Sequence, residues 1–399
     1  MYAATNGIAM YAFSVMRPLQ IKVFGLDPQS AALLPTVLFL TVAVVSPFIG
    51  GMLDRLDPRK MIAIGAFSVV ALTFLQAFIP NYAVLIVFYA LFGISMSFAG
   101  IISFMFLINR WFAKYKGMAA GILLLGSSLG GLIFPKIAAS TGVDWQMSCL
   151  YLGIVGAIFL LPTLLLIRNK PEDMGTFPDG NAYWAENTPP QYLDQNITLS
   201  AALRTPTFYL VLVVTGVLWF CINGYLQNHG FFMKDMGQDT VSAAKVLGTF
   251  SMMAILGKLS FGFLSDKFER RYIMILSIVI MAISVFLLKQ TLSNPTLLST
   301  FAFTFGIGFG GAFTIIQVWV ADMYSGKSFG AVLGFVTMVD TIAGSAGMIT
   351  LGSMRKSAGT FSGGFDLLLG LCLAAIVCAF FVKKPKMIQS IQHIDTQNT

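Results

Sequence analysis

Gly50-Gly51-Met52-Leu53-Asp54-Arg55 ends one long apolar run of this chain, and Gly262-Phe263-Leu264-Ser265-Asp266-Lys267 ends another. The two aspartates lie 212 positions apart, and a basic pair follows each, Arg59-Lys60 and Arg270-Arg271. The same offset recurs upstream, where Gly25-Leu26-Asp27-Pro28-Gln29-Ser30-Ala31-Ala32 matches Gly237-Gln238-Asp239-Thr240-Val241-Ser242-Ala243-Ala244. Farther along, Gly117 and Gly121 match Gly330 and Gly334. Markers matched at one near-constant offset mean that the chain contains a unit of structure and then repeats it.

The repeated unit is membrane-spanning. Of 399 residues, 57% are hydrophobic and only 11% charged, whereas a soluble domain carries about a quarter charged residues. Most of the surface must therefore face lipid. Runs near the roughly 20 residues that a spanning helix needs occur at about 2–22, 30–53, 61–79, 82–109, 117–139 and 146–167. They resume at about 207–233, 241–265, 272–289, 295–322, 328–353 and 363–382. The first run lacks a basic leader and is long enough to span, so it reads as a helix and not as a cleavable signal. The polar stretch 169–205, rich in Pro, Asn and Asp, divides the chain. Ser200 to Arg204 within it suits a short interfacial helix. The expected organisation is an N-terminal six-helix half (1–168), a cytoplasmic linker (169–205), a C-terminal six-helix half (206–384) and a cytoplasmic tail (385–399).

Lysine and arginine set the orientation. With even-numbered connections inside, 16 of the 25 basic residues are cytoplasmic and 7 are outside, leaving Arg17 and Lys258 within spans. Both termini are then cytoplasmic, in a plasma membrane of the bacterial inner-membrane type. An all-α protein of twelve transmembrane helices in two pseudo-symmetric, parallel six-helix halves has the major facilitator fold.

The repeated Gly-x-x-x-Asp-Arg/Lys element suggests a conformational latch at the cytoplasmic helix ends. Gly50 and Gly262 let backbones approach. Asp54 and Asp266 cap neighbouring helices, and Arg55, Arg59, Lys267 and Arg271 complete a charge network. The alternative is topology alone, since basic loops sit inside anyway. Gly121, Gly126, Gly130, Gly131, Gly306, Gly308, Gly310 and Gly311 read as close helix packing, with no ligand role.

Asn109-Arg110-Trp111-Phe112-Ala113-Lys114-Tyr115-Lys116-Gly117-Met118-Ala119-Ala120-Gly121, running into Gly126-Ser127-Ser128-Leu129-Gly130, resembles the fourth-to-fifth helix signature of monocarboxylate transporters and their oxalate/formate antiporter relatives. Arg168-Asn169-Lys170-Pro171-Glu172-Asp173-Met174-Gly175 with Pro178-Asp179-Gly180 is similar to the linker of bacterial members. Ala201-Ala202-Leu203-Arg204-Thr205-Pro206-Thr207-Phe208 is similar to the start of their seventh span. The resemblance implies carriage of a small carboxylate such as lactate or pyruvate with a proton, or exchange of dicarboxylates for monocarboxylates. It also implies an arginine in the eighth span. That position here is Lys258, a departure that keeps the charge and loses the planar two-point grip.

Charges inside spans are functional candidates by default. Lys258 lies two turns before Asp266, about 12 Å from the cytoplasmic helix end. It is a carboxylate-binding cation or a structural ion-pair partner. Asp340, 13 residues from Lys327, is a proton-coupling group, a fixed partner of Lys258, or a helix–helix hydrogen bond. Arg17, followed by Pro18, attracts anions or snorkels outward. The repeat offset maps Arg17 onto His229, which titrates in the cycle or packs as a satisfied histidine. Tyr11, Asn223 and Gln317 stand at depths suited to substrate binding.

Other classes fit poorly. The basic residues form no stripe, so nucleic acid is not expected. Cys149, Cys221, Cys372 and Cys378 all sit in apolar runs, and His229 and His393 are too few for a histidine metal site. No nucleotide loop, nucleophile–base pair, metal site or cofactor motif is present, so neither an enzyme nor a primary pump is indicated. The expectation is a secondary active transporter, working as a monomer in the bilayer, that moves a small organic anion with a proton by alternating access. An exchanger of the oxalate/formate type, an exporter of another small metabolite, and a non-transporting receptor remain as alternatives.

Overall fold

Glycine and aspartate punctuate one pair of helix ends in the same way in both copies of the repeat. Gly25 (φ +62) and Gly237 (φ +67) end their helices in the left-handed conformation that only glycine adopts without cost. Two residues later, Asp27 accepts from the Ser30 amide at 3.1 Å and Asp239 from the Ser242 amide at 2.8 Å. Each thereby caps the helix that follows. The Ser242 hydrogen bonds hold the Asp239 carboxyl below the usual aspartate range. That cap is present above the ordinary aspartate pKa and is lost as pH falls through the depressed one.

The structure, a computed structural model, describes residues 1–142, 144–182, 198–324, 326 and 328–383. Its helices are α1 (Tyr2–Asn6), α2 (Phe13–Phe24), α3 (Pro28–Leu53), α4 (Pro58–Leu75), α5 (Tyr82–Phe98), α6 (Ile101–Trp111), α7 (Lys116–Ser140), α8 (Trp145–Leu166), α9 (Leu199–Ala202), α10 (Pro206–Asp235), α11 (Thr240–Lys267), α12 (Arg270–Thr291), α13 (Leu298–Tyr324), α14 (Phe329–Ala358) and α15 (Ser362–Phe381). Among the described residues, 11 helical stretches are long and apolar enough to cross a membrane. The N-terminal run supplies the twelfth. It is helical from α1 through α2 but contains a π turn, Gly7–Ala12. Large apolar side chains such as Phe67, Phe78, Leu161, Leu166 and Phe381 stand exposed, the surface that hydrocarbon covers.

Two features depart from the runs read in the sequence. The fourth span is broken at Ala99–Gly100 into α5 and α6. The first span carries the π turn. Neither leaves a trace in an apolar run, because both change backbone hydrogen bonding and not hydropathy. The linker contains 3-10 turns at Pro171–Met174 and Pro178–Gly180, and the short helix α9. Residues 183–197 of the linker, residue 384 and the whole tail (385–399) lie outside the described residues.

The chain forms two compact units. The first takes 1–113, 123–187 and 333–338; the second takes 114–122, 188–332 and 339–399. In the first, α3 packs on α5, and α4 on α5 and α8. The glycines of α7 admit the N-terminal run there: a Cβ on Gly126 would touch Tyr2 and Ala3, and one on Gly131 would press on the Tyr11 ring at 3.0 Å. In the second, α13 packs between α11 and α12, while α15 covers α10 and α12.

Candidate functional site

The C-terminal end of α11 holds the start of α7. Asp266 Oδ1 accepts from the Gly117 amide at 2.6 Å and Oδ2 from the Met118 amide at 2.8 Å. One carboxylate thus satisfies two first-turn donors of a helix about 150 residues away in sequence, at the positive end of its dipole. Only glycine permits this approach, because a Cβ at 117 would run into Ser265 Oγ and the Gly262 carbonyl. One turn on, a Cβ at Gly121 would lie 2.7 Å from the Lys258 carbonyl oxygen. The other copy is built alike: a Cβ at Gly334 on α14 would strike the Ser46 carbonyl on α3. Ser46 lies 212 positions before Lys258. The two crossings are equivalent, and only one of them carries a cation.

The remaining latch candidates lie nearby in each copy. Asp54 follows α3, its amide bonded to Gly50, and Arg55 is exposed. The Arg59 amide donates to Asn169 Oδ1 at 2.9 Å, tying the linker to the start of α4. Lys267 lies over the Phe263 ring at 4.1 Å. Arg271 contacts Glu269 at 3.5 Å. Its neighbour Arg270, which the sequence did not single out, makes the shorter bridge, 2.7 Å to Asp322.

Deeper in the second unit, Lys258 is 1% exposed, and its Nζ lies 5.1 Å from the Phe313 ring centre and 5.7 Å from that of Phe309. Both rings are within cation–π range. Asp340 on α14 is 3% exposed. It is eleven residues, about 16 Å, from the start of its helix, close to the depth of Lys258. The Thr215 side chain on α10 lies beside it, and its Oδ1 is buried without a partner.

Each unit holds further polar groups inside its helices. Gln317, one turn past Phe313, has a buried, unpartnered Oε1, as Thr314 has a buried, unpartnered Oγ1. Asn223 donates to the Trp219 carbonyl at 3.3 Å, in space that Gly344 leaves open. The Trp219 Nε1–H has no partner, and the Trp219 ring meets Phe313 at 5.4 Å. His229 Nε2 donates to the Ala243 carbonyl at 3.1 Å, and Nδ1 faces the Tyr225 hydroxyl at 2.7 Å. The neutral ring satisfies both contacts. In the first unit, Tyr11 belongs to the π turn, and Arg17 is half-buried with its Nε unpartnered.

The sequence reading missed Trp219, Thr215 and the phenylalanines beside Lys258. A signal existed for the last of these. Phe301, Phe305, Phe309 and Phe313 recur every four residues and lead to Gln317, one continuous stripe of α13. Nothing in the sequence marks an indole nitrogen as unpartnered. Among the described residues, no group of three or more His, Cys, Asp or Glu is placed to hold a metal.

A profile of the Major Facilitator Superfamily matches residues 1–261 and 228–396. YcxA, an uncharacterized MFS-type transporter of Bacillus subtilis (strain 168), is 25% identical over 94% of this chain and 88% of its own length. The hexuronate transporter of the same organism is 23% identical, over 70% of this chain and 68% of that one. Among solved structures, the proton:xylose symporter XylE bound to 6-bromo-6-deoxy-D-glucose superposes with a TM-score of 0.78 at 13% identity, over 96% of this chain and 94% of that one. With the repeat, the twelve spans and a profile match along nearly the whole chain, this protein belongs to the Major Facilitator Superfamily, and is a multi-pass secondary transporter that works by alternating access.

Proposed function

We propose that the protein carries a small organic anion, a monocarboxylate, together with a proton, and that Lys258 is the cation that receives the carboxylate. The observation behind this reading is a lysine ammonium 1% exposed, deep in an apolar helix and walled by aromatic rings. A charge kept there is costly unless function requires it. An anion arriving at Lys258 pairs with the cation there. Asp340, at similar depth and with one oxygen unpartnered, takes up and releases the proton. Asp266, bonded to Gly117 and Met118, and its counterpart Asp54 act as the latch. A relative named for hexuronate, itself an organic anion, agrees with this class of cargo.

The test is uptake in liposomes of labelled pyruvate, lactate, benzoate and oxalate, with and without an inward proton gradient. Symport gives gradient-driven accumulation of a monocarboxylate that Lys258→Ala abolishes. Full uptake by Lys258→Ala removes the site assignment. Uptake seen only with preloaded anion and indifferent to pH replaces symport with exchange.

A further inference from the structure

The surroundings of Lys258 describe a cargo more closely than its charge does. Phe301, Phe305, Phe309 and Phe313 form a column on α13 with successive ring contacts: 5.2 Å between Phe301 and Phe305, and 5.5 Å between Phe309 and Phe313. Phe250 bridges the middle, 5.5 Å from Phe305 and 5.1 Å from Phe309. The upper rungs are sealed. Phe301 and Phe305 are each 1% exposed and pack on Tyr225 at 4.8 and 5.2 Å. The lower rungs keep accessible surface, 9% at Phe309 and 7% at Phe313, and these are the two that face the lysine. Trp219 extends the aromatic surface beyond Phe313.

The same wall holds unsatisfied polar atoms. The Trp219 Nε1–H is a donor without an acceptor, and Gln317 Oε1 is an acceptor without a donor. A buried donor or acceptor left unmade is expensive, and a bound ligand is one partner that satisfies it. The Lys258 ammonium lies 5.1 Å from the Phe313 ring centre, and the Trp219 ring centre lies 5.4 Å from that of Phe313. An aromatic acid offers a carboxylate to the ammonium and a ring to these rings, whereas a three-carbon acid offers only the carboxylate.

We infer that the cargo is an aromatic carboxylate, its carboxylate on the Lys258 ammonium, its ring along Phe309 and Phe313, and a ring oxygen at the Trp219 N–H. This rests on the reading of Lys258 as the carboxylate site. Offset and edge-to-face ring contacts add to plain apolar burial, so the wall favours aromatic acids over aliphatic ones that carry the same charge.

The test is equilibrium binding to the purified full chain in nanodiscs, by calorimetry, with benzoate, 4-hydroxybenzoate, pyruvate and lactate. The wild type is expected to rank 4-hydroxybenzoate above benzoate, and benzoate at least about tenfold above either aliphatic acid. Trp219→Phe keeps a ring and drops the N–H; it should erase about tenfold of the preference for 4-hydroxybenzoate over benzoate. Phe313→Leu should narrow the preference for benzoate over pyruvate about fivefold. Pyruvate or lactate binding as tightly as benzoate overturns the inference, as does the absence of binding by either aromatic acid. The variant Lys258→Ala separates this from the parent reading. If it binds all four acids as the wild type does, the carboxylate site itself is wrong. If it loses them all while the wild type prefers the aliphatic acids, only the aromatic assignment fails.

Discussion

At the scale of single residues, two buried ionisable groups lie at similar depth in different surroundings. Lys258 lies against two aromatic rings, and Asp340 lies beside Thr215 with its Oδ1 unpartnered. That division makes Asp340→Asn informative. The amide keeps the shape but carries no exchangeable charge. Accumulation driven by a proton gradient should fall to the equilibrium level, while exchange of labelled for unlabelled substrate continues. Loss of both activities would make Asp340 a packing residue. Glycine positions allow a second prediction. Ala at 117 would drive its Cβ into Ser265 and the Gly262 backbone, whereas a Cβ on Gly51 meets nothing within 4 Å. Gly117→Ala should therefore cost about 1–3 kcal/mol by overpacking, read as a lower unfolding temperature in detergent, and Gly51→Ala should cost nothing. Equal effects would mean that the α7–α11 crossing is loose. Lys258 and Asp340 were legible in the sequence because a charge in an apolar run is conspicuous. Trp219 was not, because one indole among many aromatic residues looks like core until its hydrogen-bond partner is sought.

Elements were legible where punctuation is chemical. Gly25-x-Asp27 and Gly237-x-Asp239 each state that a helix stops and another starts, and both stop and start there. The π turn at Gly7–Ala12 and the break at Ala99–Gly100 were not legible, since apolar residues on all sides of a helix hide its phase and its hydrogen-bond register. The repeated aspartate announced a cap without saying of what. The structure gives the answer for Asp266: the first turn of α7. An asparagine there retains one acceptor oxygen and loses the charge at the helix dipole. Asp266→Asn should weaken the cap by about 1–2 kcal/mol and speed hydrogen exchange at the amides of Gly117 and Met118 by roughly five- to thirtyfold. Unchanged exchange at those two amides would mean that the carboxylate does not hold the helix.

In both copies of the repeat one helix crossing is kept, and its charge differs. Gly121 over the Lys258 carbonyl and Gly334 over the Ser46 carbonyl are the same crossing made twice, yet one copy places an ammonium at that turn and the other a hydroxyl. A carrier with a cation in one copy can move a monoanion with a proton and transfer no net charge. If one proton accompanies one monocarboxylate, the membrane potential has nothing to act on. A single uncompensated charge would feel about 2.3 kcal/mol per 100 mV, close to a fiftyfold change in accumulation at about 1.4 kcal/mol per tenfold. In liposomes carrying a potassium diffusion potential of about that size, steady-state accumulation should stay within about twofold whichever sign is imposed. A pH step of one unit at zero potential should change it about tenfold, since one unit corresponds to about 1.36 kcal/mol per proton. Accumulation that follows the voltage would mean that proton and anion do not balance, and would exclude one-to-one symport while leaving Lys258 as the anion site.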